Sequence, residues 1–419
     1  MPARRRDGVR AADHSSAQLR FLFYSHDGLG LGHVRRNLAI ARALTASALE
    51  ASIVLVTSVD EPQSLGVPAS VEVIRLPGIR KLGNERYVPR RLRISPREIR
   101  ELRAALLQAA VESFAPAVML VDKHPLGAAG ELRPALEALR RAGGRAALGL
   151  RDVLDDRSAV VREWACHGLA GHITAYYDRV LVYGTRAVFD PVSEYELPGR
   201  VRERTYYCGY VVNSRRDDDA LDVLPILPRS RQGKPLVLAT AGGGEDGFPL
   251  LATFIEAARE APWHGIVVAG PQGTSEERRA LRRMAAEADV AFSTFVPDLV
   301  PALAAVDALV CMGGYNTLAE AVASGVPTVC VPRTQPRTEQ LIRARAFARI
   351  GLLRLLEPDR LESSALQREV GVCLGFKRGS RMHRAWAILD LDGAARAACE
   401  LLALAGAPAR AERLVGVAR

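Results

Sequence analysis

The amino-acid sequence predicts two doubly wound α/β domains that face each other across a central cleft, and three observations carry that expectation. Short apolar runs rich in β-branched residues alternate with helical patterns along the chain. Alternation of this kind builds βαβ units and parallel sheets covered on both faces. It breaks at residues 212–234, a polar, charged and proline-rich stretch, and then restarts. Glycine-rich segments follow three of the strands, which is where open parallel sheets bind ligands. With 419 residues, 48% hydrophobic and 25% charged, the chain is long enough for two or three cored domains. It is not disordered, collagenous or a small disulfide scaffold.

Strands are expected in the first half at 19–25, 52–58, 71–76, 117–121, 145–150 and 179–183. The second half adds 235–240, 265–269, 290–296, 308–311 and 328–331. Helical periodicity falls between them, for example at 34–45, 248–260, 275–287, 317–324 and 338–349. Ser95-Pro-Arg-Glu98 has the spacing of a capping box with proline at the first helical position. The expected organisation is a disordered basic tail over 1–18, a Rossmann-like domain over 19–211, a linker over 212–234, a second such domain over 235–385, and a helical segment over 386–419. An amphipathic helix at 391–404 is expected in that last segment.

Charge is clustered. Of the formal net charge of +10, residues 1–20 carry +3 and residues 75–103 carry +7, so the remaining chain is neutral. This predicts an anionic partner: a membrane surface, a phosphorylated substrate or a nucleic acid. A solvated arginine-rich loop is the plainer alternative. Tyr87 is the one aromatic of the basic stretch, which argues against single-stranded nucleic acid. The six cysteines contain no C-x-x-C and read as reduced thiols. No run approaches the ~20 apolar residues of a membrane span, and the N-terminal arginines precede no apolar segment. The expected location is cytoplasmic, with peripheral association at the inner face of the membrane left open.

Three glycine segments each open a helix: residues 26–33 with Gly28, Gly30 and Gly32; residues 241–247 with Gly242, Gly243 and Gly244; and residues 312–317 with Gly313 and Gly314. Glycine lets a ligand approach the backbone, and exposed helix N–H groups favour an anion there. The G-x-x-x-x-G-K-[ST] signature is absent, so this is not a P-loop protein. His33 stands where G-x-G-x-x-G would place its third glycine, and Asp60 comes too late for the usual ribose ligand; both argue against NAD.

Residues 294–349 then carry a resemblance. They combine Phe295-Val-Pro-Asp298, Gly313-Gly314 before a helix, Glu320 three residues after Thr317, Gly325-Val-Pro327, and a helix bearing Gln340. This resembles the donor-binding half of the MurG-like glycosyltransferases of family 28 type, GT-B enzymes that add N-acetylglucosamine to a lipid-linked precursor. Gly30-Leu-Gly-His33 and Gly242–Gly244 look like that family's other phosphate loops. Much of 60–230 has no counterpart there; with Asp122-Lys-His-Pro-Leu-Gly and Leu150-Arg-Asp152 it looks instead like an uncharacterised bacterial branch of predicted glycosyltransferases.

The resemblance implies a GT-B fold with the second domain as donor side and the first as acceptor side. It places backbone near Val296 on the nucleotide base and Gly313, Gly314, Tyr315, Asn316 and Thr317 near the diphosphate. Glu320 would accept from the ribose hydroxyls and Gln340 would bind the donor sugar. Where the family carries Gln-Gln, this chain has Glu339-Gln340, so the sugar is not carried over. Thr317 and Glu320 also have capping-box spacing.

The expected reaction is metal-independent, inverting transfer of a hexosyl or N-acetylhexosaminyl group from a UDP-sugar co-substrate, with no resident cofactor, to an anionic or lipid-linked acceptor whose identity stays open. Arg333 or Arg337 would add charge at the diphosphate. His33 is the favoured base because imidazole titrates near neutrality, with Asp122 its rival. Arg151 and Asp152 would shape the acceptor pocket, and Arg80 and Lys81 of the basic stretch would serve an anionic acceptor. The competing readings are an epimerase or hydrolase of the same fold and a non-catalytic nucleotide or membrane-surface binding module.

Overall fold

The computed structural model describes residues 19–25, 31–48, 50–60, 62–82, 87–212, 233–296, 298–376 and 388–407. The expected basic tail over 1–18, nearly all of the expected linker, and Gly28 and Gly30 lie outside the described residues.

The first domain runs β1 (Arg20–Tyr24), α1 (Gly32–Ser47), β2 (Ser52–Thr57), β3 (Val71–Arg75), a hairpin of β4 (Ile79–Lys81) and β5 (Tyr87–Pro89), α2 (Pro96–Phe114), β6 (Val118–Asp122) and α3 (Arg133–Arg141). It continues through β7 (Arg145–Arg151), α4 (Arg157–Cys166), α5 (Leu169–Tyr176), β8 (Arg179–Tyr183), the short α6 (Pro191–Glu194) and α7 (Gly199–Arg202), and β9 (Thr205–Tyr207). Seven strands form a parallel sheet in the order β3-β2-β1-β6-β7-β8-β9. Along β1 the period of two is visible in the packing: Phe21 and Phe23 face one core, Leu22 and Tyr24 the other. The expected capping box starts α2, with Ser95 and Glu98 each satisfying the other's backbone N–H.

The second domain runs β10 (Leu236–Thr240), α8 (Phe248–Ala258), β11 (His264–Val268), α9 (Ser275–Glu287), β12 (Ala291–Ser293), α10 (Val300–Ala305), β13 (Ala308–Cys311), α11 (Tyr315–Ser324), β14 (Thr328–Cys330), α12 (Glu339–Arg349), β15 (Arg354–Leu355) and α13 (Ser363–Leu374). Its six parallel strands lie in the order β12-β11-β10-β13-β14-β15. The strand expected over 290–296 stops at Ser293, because Phe295 and Val296 leave the sheet to line the cleft. The expected helix over 317–324 starts at Tyr315, with Gly314 as its N-cap.

The last helix, α14 (Gly393–Leu404), returns to the first domain and packs on α1. At the crossing the Tyr210 N–H donates to the Asp390 carbonyl at 2.7 Å and the Gly393 N–H to the Tyr210 carbonyl at 3.1 Å. A Cβ on Gly393 would stand 2.5 Å from the Gly209 carbonyl oxygen, so this approach requires glycine.

The two domains share a continuous apolar core that includes Phe23, Leu38, Leu318, Phe347 and Leu401. Within their interface lies a buried ion pair. Arg343 of α12 reaches Asp152 just after β7, with Nε and Nη2 at 3.0 and 2.9 Å from Oδ1. Arg343 also donates to the carbonyls of Val153 and Gly313, and Tyr210 donates to Asp152 Oδ2 at 3.1 Å. Asp152, expected in an acceptor pocket, is thus sealed between the domains, because the guanidinium it pairs with comes from the opposite side. Asp155 adds a second strut, accepting from the Thr338 N–H at 2.9 Å. Asp152→Ala is expected to cost about 3–5 kcal/mol by stranding the Arg343 charge. In chemical denaturation, a double variant with Arg343→Met should recover most of that loss; no recovery would remove the stranded charge as its cause.

Candidate functional site

In each sheet the strand order reverses beside the first strand of its domain, between β1 and β6 and between β10 and β13. Loops leaving the carboxyl ends on either side of such a switch point form a crevice. Here the two crevices face each other and enclose a cleft of about 280 Å³.

The second domain's wall of the cleft consists of backbone at helix starts. Gly242, Gly243 and Gly244 line it from the β10–α8 loop, Gly314 to Thr317 from the start of α11. Gly244 has φ near +90°, and a Cβ there would stand 2.4 Å from the Ala269 carbonyl oxygen, so only glycine lets this loop lie on the end of β11. The helices that open onto the cleft, α1, α8 and α11, have no side-chain hydrogen bond at their N-caps. Among the other helices, α2 and α9 carry complete capping boxes, while α3, α5, α13 and α14 also lack side-chain caps. What distinguishes α1, α8 and α11 is that their N-terminal ends, with the positive end of the helix dipole, face the cleft. Gly32 and Val296 also line the cleft. Gly313 does not; with φ near +83° it turns the chain from β13 toward α11.

Opposite stands His33, at the start of α1. Its Nδ1 lies 3.2 Å from Asp122 Oδ2, at the end of β6, so the pair brackets the switch point of the first sheet. Arg36, one helical turn on, donates to Asp122 at 2.8 Å and stacks its guanidinium over Tyr183 and Tyr315. Burial raises the Asp122 pKa, but Arg36 and His33 more than offset it and hold the group down at about 2. Asp122 is therefore an anion at neutral pH, and together with Arg36, whose Nη2 lies 2.9 Å from His33 Nδ1, it fixes the imidazole. Burial lowers His33 to about 4 against the opposing pull of Asp122, which leaves the imidazole neutral and able to accept a proton.

Several expected residues stand elsewhere. Glu320, expected on the ribose, is 1% exposed and gives one oxygen to Arg35 of the opposite domain at 2.8 Å. Its other oxygen is buried without a hydrogen-bond partner. Burial, reinforced by Asp298 and opposed by Arg35, raises its pKa to about 7. Thr317 is inside α11 and caps nothing, so the capping-box reading fails. Arg333 lines the cleft with its charge shared between Asp246 (2.9 Å) and Glu339 (3.0 Å), while its N–H donates to Gln340 Oε1. Arg337 instead pairs with Asp155 and Glu163. Arg151 lines the cleft; Arg80 is exposed on the β4–β5 hairpin, away from the cleft wall, and Lys81 closes β4. Gly30 lies outside the described residues. Sequence reasoning missed Arg35 and Arg36; their positions two and three residues after His33 at a helix start were the available signal.

Residues 247–384 match the glycosyltransferase family 28 C-terminal domain, which encloses the segment that carried the resemblance. A UDP-N-acetylglucosamine–N-acetylmuramyl-(pentapeptide) pyrophosphoryl-undecaprenol N-acetylglucosamine transferase of Shouchella clausii is 37% identical over 79 residues, 18% of this chain and 22% of the relative. The enzyme of the same description from Salmonella arizonae is 26% identical over 196 residues, 44% of this chain and 53% of the relative. The chain thus aligns with between about a fifth and a half of the length of these curated relatives. Among solved structures, Acinetobacter baumannii MurG superposes with a TM-score of 0.57 at 14% identity, covering 92% of this chain and 99% of that one. A UDP-glucosyltransferase from Polygonum tinctorium gives 0.62 at 14% identity, covering 93% and 98%. The fold is GT-B, and the MurG-like resemblance read from the sequence holds.

Because the folded-state pKa of Glu320 is raised, its contribution to stability is fully present below about pH 4.5 and is lost as pH rises through about 7. Relative to the parent, Glu320→Gln should therefore gain roughly 2–3 kcal/mol between pH 4.5 and 8. Melting curves of both proteins across that range test this; a pH-independent difference would mean that Glu320 stays ionised throughout.

Proposed function

We propose that the protein is a glycosyltransferase that moves a hexosyl or N-acetylhexosaminyl group from a UDP-sugar to an acceptor hydroxyl with inversion. The observation that carries this reading is the placement of the His33–Asp122 pair at one switch point, facing the uncapped starts of α8 and α11 at the other. His33 Nδ1 lies between Asp122 Oδ2 at 3.2 Å and the Arg36 Nη2 donor at 2.9 Å; the mechanism uses the tautomer whose Nδ1–H turns to the carboxylate and leaves Nε2 as the base. Nε2 takes the proton of the acceptor hydroxyl as its oxygen bonds to the sugar anomeric carbon. The bond from that carbon to the diphosphate breaks, and the departing charge is met by the helix N–H groups and glycine loops. Asp122 then stabilises the imidazolium. No step calls on a metal or a resident cofactor; the nucleotide sugar is a co-substrate. Matching residues 247–384 to a family 28 domain supports the donor class, and the UDP-linked names of relatives support uridine.

A thermal-shift panel of UDP, GDP, dTDP and ADP tests the donor site. Selective stabilisation by UDP is expected, about 2.7 kcal/mol at 100 times its dissociation constant; no shift with any nucleotide overturns the reading. His33→Ala should lower turnover about 10²–10⁴-fold. The depressed His33 pKa predicts that kcat/KM stays flat from pH 8 down to near 5 and falls with an apparent pKa of about 4. A limb near 6.5 would place the base elsewhere. Sugar released as fast without an acceptor as with one would favour the hydrolase.

We also infer that the first domain rests on an anionic membrane surface. Five of the seven exposed large apolar side chains among the described residues, Ile74, Leu82, Leu92, Leu102 and Leu106, fall in or beside the basic stretch. They are interspersed with exposed Arg80, Arg90, Arg91, Arg93, Arg97 and Arg100. Arg103 is not part of this surface; it is buried on Glu131, Ser58 and the Pro77 carbonyl. Apolar side chains among cations suit a charged lipid interface, and no helix of the described residues is long and apolar enough to cross the membrane. Changing those six arginines to Gln should abolish salt-sensitive pelleting with phosphatidylglycerol vesicles; pelleting equal to the parent's refutes the docking surface.

A further inference from the structure

Four arginines line the cleft, and three of them are neutralised by carboxylates: Arg35 by Glu320, Arg36 by Asp122, and Arg333 by Asp246 and Glu339. The fourth, Arg151, makes no ion pair with any described residue, and its Nε is buried without a hydrogen-bond partner. Its surroundings make this costly. Burial lowers its pKa to about 10; the charges of Arg343 and Arg36 add to that shift, and Glu339 and Asp152 oppose it without cancelling it. Both carboxylates that act on it are already engaged, Glu339 with Arg333 and Asp152 with Arg343 and Tyr210. A folded protein gains nothing from holding a desolvated guanidinium beside two others. Such a group is stabilised when a ligand supplies the anion.

The position of Arg151 says where that anion lies. Asp122 ends β6 opposite Gly149 of β7, and Arg151 stands two residues further along β7, opposite Tyr183. It is on the acceptor-side sheet, beside the strand whose last residue orients His33, and not on the donor-side loops. We propose that Arg151 binds an oxyanion at the reacting end of the cleft, separate from the nucleotide diphosphate. A carboxylate or phosphate is therefore carried either by the transferred sugar or by the acceptor close to its reacting hydroxyl. This rests on the transferase reading for the identity of the reacting end.

The test compares the parent with Arg151→Gln and Arg151→Lys. In the absence of ligand, Arg151→Gln should melt at the same temperature as the parent or higher, because it removes a half-buried charge that has no ion-pair partner. A clear loss of stability would make Arg151 a structural group and overturn the proposal. Titration calorimetry then measures UDP alone and inorganic phosphate added to protein saturated with UDP. Arg151→Gln should leave the UDP dissociation constant within about twofold and weaken phosphate at least about tenfold, the worth of one charge-assisted contact. Arg151→Lys should retain part of that phosphate affinity. Equal weakening of UDP would make Arg151 a diphosphate ligand, and equal phosphate affinity in parent and Arg151→Gln would dissolve the site; either result refutes the proposal. If the parent ignores UDP but binds phosphate through Arg151, the anion site stands and the transferase reading falls. The source of the anion follows from comparing hydrolysis of UDP-glucuronic acid and UDP-glucose. A preference for the uronate that Arg151→Gln abolishes assigns the anion to the sugar; no preference, with the phosphate site intact, assigns it to the acceptor.

Discussion

The buried pair of Asp152 and Arg343 is the contact on which the arrangement of the cleft depends. It joins the end of the fifth strand of one sheet to a helix of the other domain, with both side chains about 1% exposed. A buried ion pair adds little net stability compared with a well-packed apolar contact, but breaking one half of it is expensive. Its effect is therefore on geometry. The carboxylate accepts one guanidinium, and that guanidinium also binds the Val153 and Gly313 carbonyls, so β7 and the loop entering α11 are held in one relative position. The two switch points face each other as a consequence.

Within that frame, burial decides which charges are chemically available. Asp122 stays ionised because Arg36 and His33 outweigh its desolvation, whereas Glu320, with one cation and the added charge of Asp298, is raised toward neutrality. Two carboxylates near one cleft thus have different protonation behaviour at neutral pH. The helix starts show the same economy. Ser95 and Thr274 satisfy the first N–H groups of α2 and α9, whereas α1, α8 and α11 begin on the cleft with no side-chain cap, so their donors face a ligand.

The two domains differ in how much of them recurs elsewhere. The second domain carries the family 28 match, and whole-chain likeness to GT-B structures persists at 14% identity. The first domain holds His33 at the start of α1 and Asp122 and Arg151 at the ends of β6 and β7, where side chains change without disturbing the sheet. That division explains why the resemblance assigned roles along 294–349, while His33, Asp122, Arg151 and Asp152 were expected from their places at strand ends and loops.

Taken alone, the sequence determined the two parallel sheets, most strand positions, the amphipathic last helix, the three glycine loops and the MurG-like donor segment. All of these follow from local periodicity, glycine placement or short contiguous motifs. The short strands β4, β5, β9 and β15 went unseen because two or three residues carry no usable period. Tertiary structure alone decided which ionisable groups meet. Arg35 and Glu320 are 285 residues apart, and Arg343 and Asp152 are 191 apart, so no spacing rule pairs them. Whether an arginine is neutralised, as Arg36 is, or left alone in the cleft, as Arg151 is, depends on which carboxylates the fold brings within a few ångströms and shields from water. Desolvation and charge pairing are properties of that assembled environment, and the sequence that encodes them does not display them.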